Sequence, residues 1–117
     1  MRAAGHQVTT VEGATGPVVD AVRDAWNRDN VVQCGYCQPG QTLAAVALLA
    51  SNESPDDPTI ARWMNGNLCR CGTYPRIRRA IHVAAETLAG AEEPAPLPSF
   101  SEPAVARTSD WLARRVG

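Results

Sequence analysis

The chain has 117 residues, 44% of them apolar, with eleven arginines, no lysine, twelve carboxylates and a formal net charge of −1. That length suits one modest domain around one core, and the balanced charge offers no electrostatic case for nucleic acid or an anionic membrane as partner. Only six aromatic side chains are present and Ala recurs throughout, which favours close-packed helices over a thick β-sandwich and predicts an all-α fold.

Residues 1–15 read as a flexible polar arm, with a β-favouring patch, Gln7 to Val11, that is either one strand or an extended segment. Thr15 is the expected N-cap of a first helix over 17–28. Pro17 stands in its first turn, and Val18, Val19, Val22 and Trp26 recur at helical spacing. The stretch Asn30 to Gly40 is rich in residues that break regular structure and predicts a loop. A second helix is expected over 39–51, and from Gln41 to Ala50 nearly every side chain is Ala, Leu or Val, so it is expected to form the buried centre of the domain. Asp57 is expected to cap a short third helix starting at Pro58, with Ile60, Ala61 and Met64 facing inward and Asn65-Gly66-Asn67 stopping it. A second loop carries Cys69 to Gly72. Pro75 then opens a last helix over 75–89, with Ile77, Ile81, Ala84, Ala85 and Leu88 as its inner stripe and Gly90 as its C-cap. The domain therefore spans 16–90, a four-helix unit with two cysteine loops at one end. A Pro-rich linker and tail follows over 91–117, where Trp111 and Leu112 are expected on a two-turn helix that docks on a partner. No run approaches the roughly 18 to 20 apolar residues of a membrane span. Met1 to Val11 lacks the apolar stretch of a signal peptide, so a cytoplasmic location is expected.

Cys34 and Cys37 form a CxxC pair and Cys69 and Cys71 a CxC pair, with 31 residues between them. In a reducing compartment four clustered thiols point to metal rather than disulfides. Each pair lies in a loop leading into a helix, so backbone N–H groups can face a negative centre, as an iron–sulfur cluster requires. Gly35, Gly40 and Gly72 leave room for close approach. A structural zinc site also takes four thiolates but usually draws on two CxxC pairs. Two disulfides and unliganded core thiols are the remaining readings of these cysteines.

The segments Gln33-Cys34-Gly35-Tyr36-Cys37-Gln38-Pro39-Gly40 and Gly66-Asn67-Leu68-Cys69-Arg70-Cys71-Gly72-Thr73-Tyr74 resemble the two signatures of the xanthine oxidase family of molybdenum hydroxylases. More narrowly they resemble the small iron–sulfur subunits of isoquinoline 1-oxidoreductase and related aldehyde-oxidising enzymes. The resemblance covers about residues 3–89. It implies a four-helix domain holding one [2Fe–2S] cluster through Cys34, Cys37, Cys69 and Cys71, with Gln33 and Cys71 against the pterin of a molybdopterin cofactor in a large partner subunit. It also implies one-electron transfer on behalf of an enzyme that oxidises an aldehyde or N-heterocycle elsewhere, and an electron acceptor such as a separate ferredoxin-like, flavin or cytochrome protein. The opening Ala3 to Gly13 resembles the stretch that follows a plant-type ferredoxin domain in such subunits. The implied ferredoxin half, with its second cluster, is thus expected to be cut away or supplied by another polypeptide. A zinc-stabilised interaction module and an inert truncated remnant are the alternatives.

No general base, nucleophile or phosphate loop is visible, so no catalytic residue is expected in this chain. His6 and His82 read as surface or partly buried residues, and Arg76, Arg78 and Arg79 as a solvated helix face or a surface for an acidic partner. Arg70, between two cysteines, is placed to offset cluster charge. Trp26 and Trp63 read as core or subunit-contact residues.

Overall fold

A computed structural model describes residues 3–90; the linker and tail with Trp111 and Leu112, and the first two residues of the arm, lie outside the described residues. Four helices follow one another as α1 (Pro17–Arg28), α2 (Gln38–Ser51), α3 (Asp57–Met64) and α4 (Tyr74–Leu88). Each has a proline at its first or second position. There a fixed φ suits the helix and the missing N–H loses no intrahelical bond. No strand occurs among the described residues, so the Gln7–Val11 patch belongs to the arm. The Arg23 guanidinium ties the end of that arm to α1, donating to the carbonyls of Val11 at 3.1 Å and Ala14 at 3.4 Å.

Two N-caps differ from expectation by one residue. At α1 the N-cap is Gly16, not Thr15, and no side chain caps the helix. The chain enters through φ 118° at Gly16, a conformation that leaves Thr15 exposed and one residue too early. At α3 the cap is Asp56, whose carboxylate accepts the Thr59 N–H at 2.9 Å. Asp57, already helical, reaches α4 instead, meeting His82 Nε2 at 2.7 Å and Arg78 at 3.9 Å. The hydrogen bonds from Thr59 hold the Asp56 carboxyl below its ordinary range. A depressed carboxyl contributes its stability above the unfolded pKa and loses it as the pH falls through the folded value. Asp56→Ala is therefore expected to lower the melting temperature at pH 7, and the gap to the parent protein should close as the pH drops below the ordinary aspartate range. Thermal melts at a series of pH values check this.

The centre of the domain is the pairing of α1 with α4, the most extensive of the helix contacts. Val22, Ala25 and Trp26 on α1 and Ile77, Ala80, Ile81 and Ala84 on α4 are all buried. Small side chains on both stripes let the two helices approach closely. α2 lies against α1 and α3 and touches α4 only lightly. It buries Gln41, Ala45, Leu48 and Leu49 but leaves Ala47 and Ala50 exposed and Leu43, Ala44 and Val46 half-buried. The largely apolar sequence of α2 thus does not make it the centre. Several of its alanines serve helix propensity rather than burial. Gly90, at φ 75°, stops α4 one residue beyond the cap residue Ala89, and its N–H bonds the Thr87 carbonyl.

Candidate metal centre

The first cysteine loop is rooted where α1 ends. Asn30 reverses the chain at φ 47°, and Val31, fully buried, donates its N–H to the Trp26 carbonyl. Two α4 arginines hold this root: Arg76 donates to the Asn30 carbonyl at 3.0 Å, and Arg79 Nε lies 3.5 Å from the Asp29 carboxylate. That carboxylate is buried and makes no hydrogen bond, so Arg79 is its charge partner. The arginines of this solvated helix face are exposed, as expected, and two of them also bond back to the loop root. Further along, Gly35 turns the chain at φ 83° and its carbonyl accepts the Gln38 N–H, which brings Cys37 to the N-cap position of α2.

The second loop is fastened to α2. The buried amide of Gln41 donates to the Asn67 carbonyl at 3.1 Å. A Cβ on Gly40 would stand 2.8 Å from Asn67 Oδ1, so glycine permits this close passage. The Cys69 N–H donates to the Tyr74 hydroxyl at 2.7 Å, Gly72 at φ 72° closes a turn back to the Cys69 carbonyl, and Thr73 is the N-cap residue of α4. Both loops thus sit at helix N-termini, where free N–H groups and the helix dipole favour negative charge.

The loops meet in a cleft of about 520 Å³ lined by Cys34, Tyr36, Cys37, Leu68, Cys69, Arg70 and Tyr74. Cys37 and Cys69, from different loops, lie close enough for each to shift the ionisation of the other. Cys69 is buried and its thiol is brought down to about 7, first by the Thr73 hydroxyl at 3.2 Å, then by the Thr73 N–H at 3.5 Å, with the Cys71 N–H adding to them. Cys37 moves up, first through burial and then through its neighbour Cys69. Its sulfur accepts from Gln38 Nε2 at 3.5 Å, and Gln41 also reaches it.

Three of the four sequence-predicted cysteines therefore line one cleft. Cys71, half-buried, lies outside that lining, and so does the exposed Gln33. Among the described residues no three Cys, His, Asp or Glu side chains are grouped closely enough to hold one metal ion. His82 pairs with Asp57 and His6 is exposed in the arm, both apart from the cleft lining. Arg70 does line the cleft, whereas Trp63 is half-exposed and donates to the Ala44 carbonyl. Sequence reasoning missed Thr73 and Gln38 as donors to sulfur. Their signal was adjacency, since Gln38 follows Cys37 directly and Thr73 stands two residues after Cys71.

Known proteins place this cleft in a family. The alpha chain of isoquinoline 1-oxidoreductase from Brevundimonas diminuta is 49% identical over 86 residues, 74% of this chain and 57% of that one. A nicotinate dehydrogenase component from Pseudomonas putida is 42% identical over 86 residues, 73% of this chain and 55% of that one. The chain thus spans about half the length of the curated relatives it matches. Among solved structures, quinoline 2-oxidoreductase from Pseudomonas putida 86 superposes with a TM-score of 0.64 at 36% identity, over 79% of this chain and 58% of that one. The family model for the [2Fe-2S] binding domain matches residues 10–82, which take in both cysteine loops and most of the four helices, and the chain belongs to that family.

Proposed function

We propose that Cys34, Cys37, Cys69 and Cys71 hold one [2Fe–2S] cluster, and that the domain passes electrons singly from a molybdenum hydroxylase centre carried by a large partner subunit. The observation that carries this reading is the meeting of Cys37 and Cys69, with 31 residues between them in sequence, in a cleft that Cys34 also lines. The donors around it fit the group. A cluster held by four thiolates carries excess negative charge, and here the Thr73 hydroxyl, the Thr73 N–H and the Gln38 amide all meet sulfur. When bound, the cluster supplies a one-electron carrier, and the chain's own residues place and hydrogen-bond its ligands. Arg70, on the cleft wall, offsets negative charge there.

The substrate class is the aromatic N-heterocycle, the chemistry shared by the names of the isoquinoline, nicotinate and quinoline relatives; an aldehyde is the other class for which the reading leaves room. Oxidation belongs to the partner chain, where a molybdopterin cofactor is expected, with Gln33 and Cys71 reaching toward its pterin. The partner docks over the cleft, whose rim carries two apolar side chains left in the open, Tyr36 at 94% and Leu68 at 84% exposure. A ferredoxin-like, flavin or cytochrome protein then takes the electrons. We place the protein in the cytoplasm: its four cysteines are free thiols, and no helix among the described residues is long and apolar enough to cross a membrane.

Anaerobic reconstitution of the chain with iron and sulfide, followed by metal and acid-labile sulfide analysis and EPR after dithionite, tests the proposal. About two irons and two sulfides per chain with a one-electron signal are expected. Stoichiometric zinc without sulfide, or no uptake of iron and sulfide at all, overturns it.

A further inference from the structure

Gln38 is the first residue of α2 and half-buried, and each end of its side-chain amide is engaged. The Trp26 indole Nε1 lies 2.8 Å from its Oε1, and its Nε2 lies 3.5 Å from Cys37 Sγ. An amide oxygen and nitrogen look alike in shape, so which faces which must come from bonding partners. Here the indole settles the matter. Indole N–H is a donor with no acceptor capacity, so the atom facing it must be the amide oxygen, and the NH₂ group is then turned toward sulfur. A flipped amide would set two donors against each other at Trp26 and an oxygen against the cysteine sulfur. Trp26 is itself 5% exposed and packed in the α1–α4 core, so it cannot swing away to relieve the conflict. The donor at Cys37 is thus held in place by a residue on another helix, twelve positions earlier in the chain.

We infer that Gln38 raises the reduction potential of the cluster by donating to the Cys37 sulfur, with Trp26 as the positioning residue that holds its amide in the donating orientation. The inference rests on the proposed cluster ligation. Reduction adds one electron to the cluster, and no proton leaves Gln38, whose N–H stays on the amide throughout. The added negative charge strengthens the N–H to sulfur bond, so the donor favours the reduced state over the oxidised one. Gln41 also approaches this sulfur, but its amide is committed to the Asn67 carbonyl at 3.1 Å as well.

The test is an EPR-monitored redox titration of the full chain carrying its cluster, with iron content measured first. Gln38→Leu is expected to lower the midpoint potential by about 59 mV, a tenfold change in the one-electron equilibrium. Gln38→Glu keeps an acceptor for the indole but replaces the donor with an anion, so its potential should fall further. Trp26→Phe retains the ring in the core and frees the amide; its potential should fall in the same direction. The Trp26→Phe/Gln38→Leu pair should go no lower than Gln38→Leu alone, because the indole acts only through the amide. Loaded Gln38→Leu and Trp26→Phe proteins titrating with the parent overturn the inference, as does any rise in potential. If Gln38→Leu loses its iron, Gln38→Glu and Trp26→Phe decide the question on the same terms. A parent chain that takes up no cluster counts against the proposed function instead, so the two failures are distinguishable.

Discussion

Cys69→Ser is expected to strip the domain of its cluster while leaving its helices folded. Of the four cysteines, Cys69 has the sulfur most completely prepared to be an anion. It is buried, the hydroxyl and N–H of Thr73 both meet it, and its thiol lies near 7 where an ordinary cysteine lies well above. Serine puts a hydroxyl there, a far weaker ligand for iron and one that stays protonated at neutral pH. Iron and acid-labile sulfide should fall from about two each per chain to a small fraction of that, with loss of the dithionite-induced EPR signal. The metal-free fold should be nearly indifferent. Serine is close to cysteine in shape and can bond Thr73 in place of the thiol, so the metal-free chain should change by no more than about 1 kcal/mol. Iron analysis of loaded protein and circular-dichroism melts of the metal-free chain separate the two effects. Parent-like iron content in Cys69→Ser would remove this residue from the ligand set.

Leu48→Ala is expected to produce the largest loss of stability among single changes on α2. Leu48 is wholly buried and belongs to the same cluster as Leu49, Ile60, Met64 and Ile81, where α2 meets its neighbours. Truncation removes the transfer free energy of the lost methyl groups and leaves a cavity, together costing about 3 kcal/mol. A domain of this size has total stability of only about 5–10 kcal/mol, so the melting temperature should fall on the order of 15 °C. Leu43, on the same helix but half-buried, gives the control. Leu43→Ala should cost less than half as much, because much of its surface is already in water. Equal losses at the two positions would mean that α2 is enclosed on all sides, as its composition alone suggests.

Most of the fold was legible in the sequence. A proline stands at the start of every helix, and apolar residues recur at helical spacing along α1 and α4, so the helix limits read from the chain match the observed ones to within a residue at most ends. Where they do not, the ambiguity is physical. Asp56 and Asp57 are adjacent and chemically identical, and only the extended backbone of Asp56, at φ −79° and ψ 166°, makes it the cap. The two cysteine loops were legible because a spacing motif is written along the chain and needs no knowledge of what lies across the core.

What the sequence by itself determined, then, is the set of local preferences: four helices, two glycine-bearing cysteine loops at helix N-termini, and the thiol chemistry of a [2Fe–2S] binding domain. What only the tertiary structure decided is which distant groups come within reach of one another. The apolar α2 yielded the centre to the small-residue pairing of α1 with α4. Arg76 and Arg79 reached across the surface to the root of the first loop, and Trp26 came to hold the amide beside Cys37. Helix spacing limits each side chain to a face, but its partner depends on the packing of a second helix, and hydrogen bonds at 3 Å follow from that packing alone.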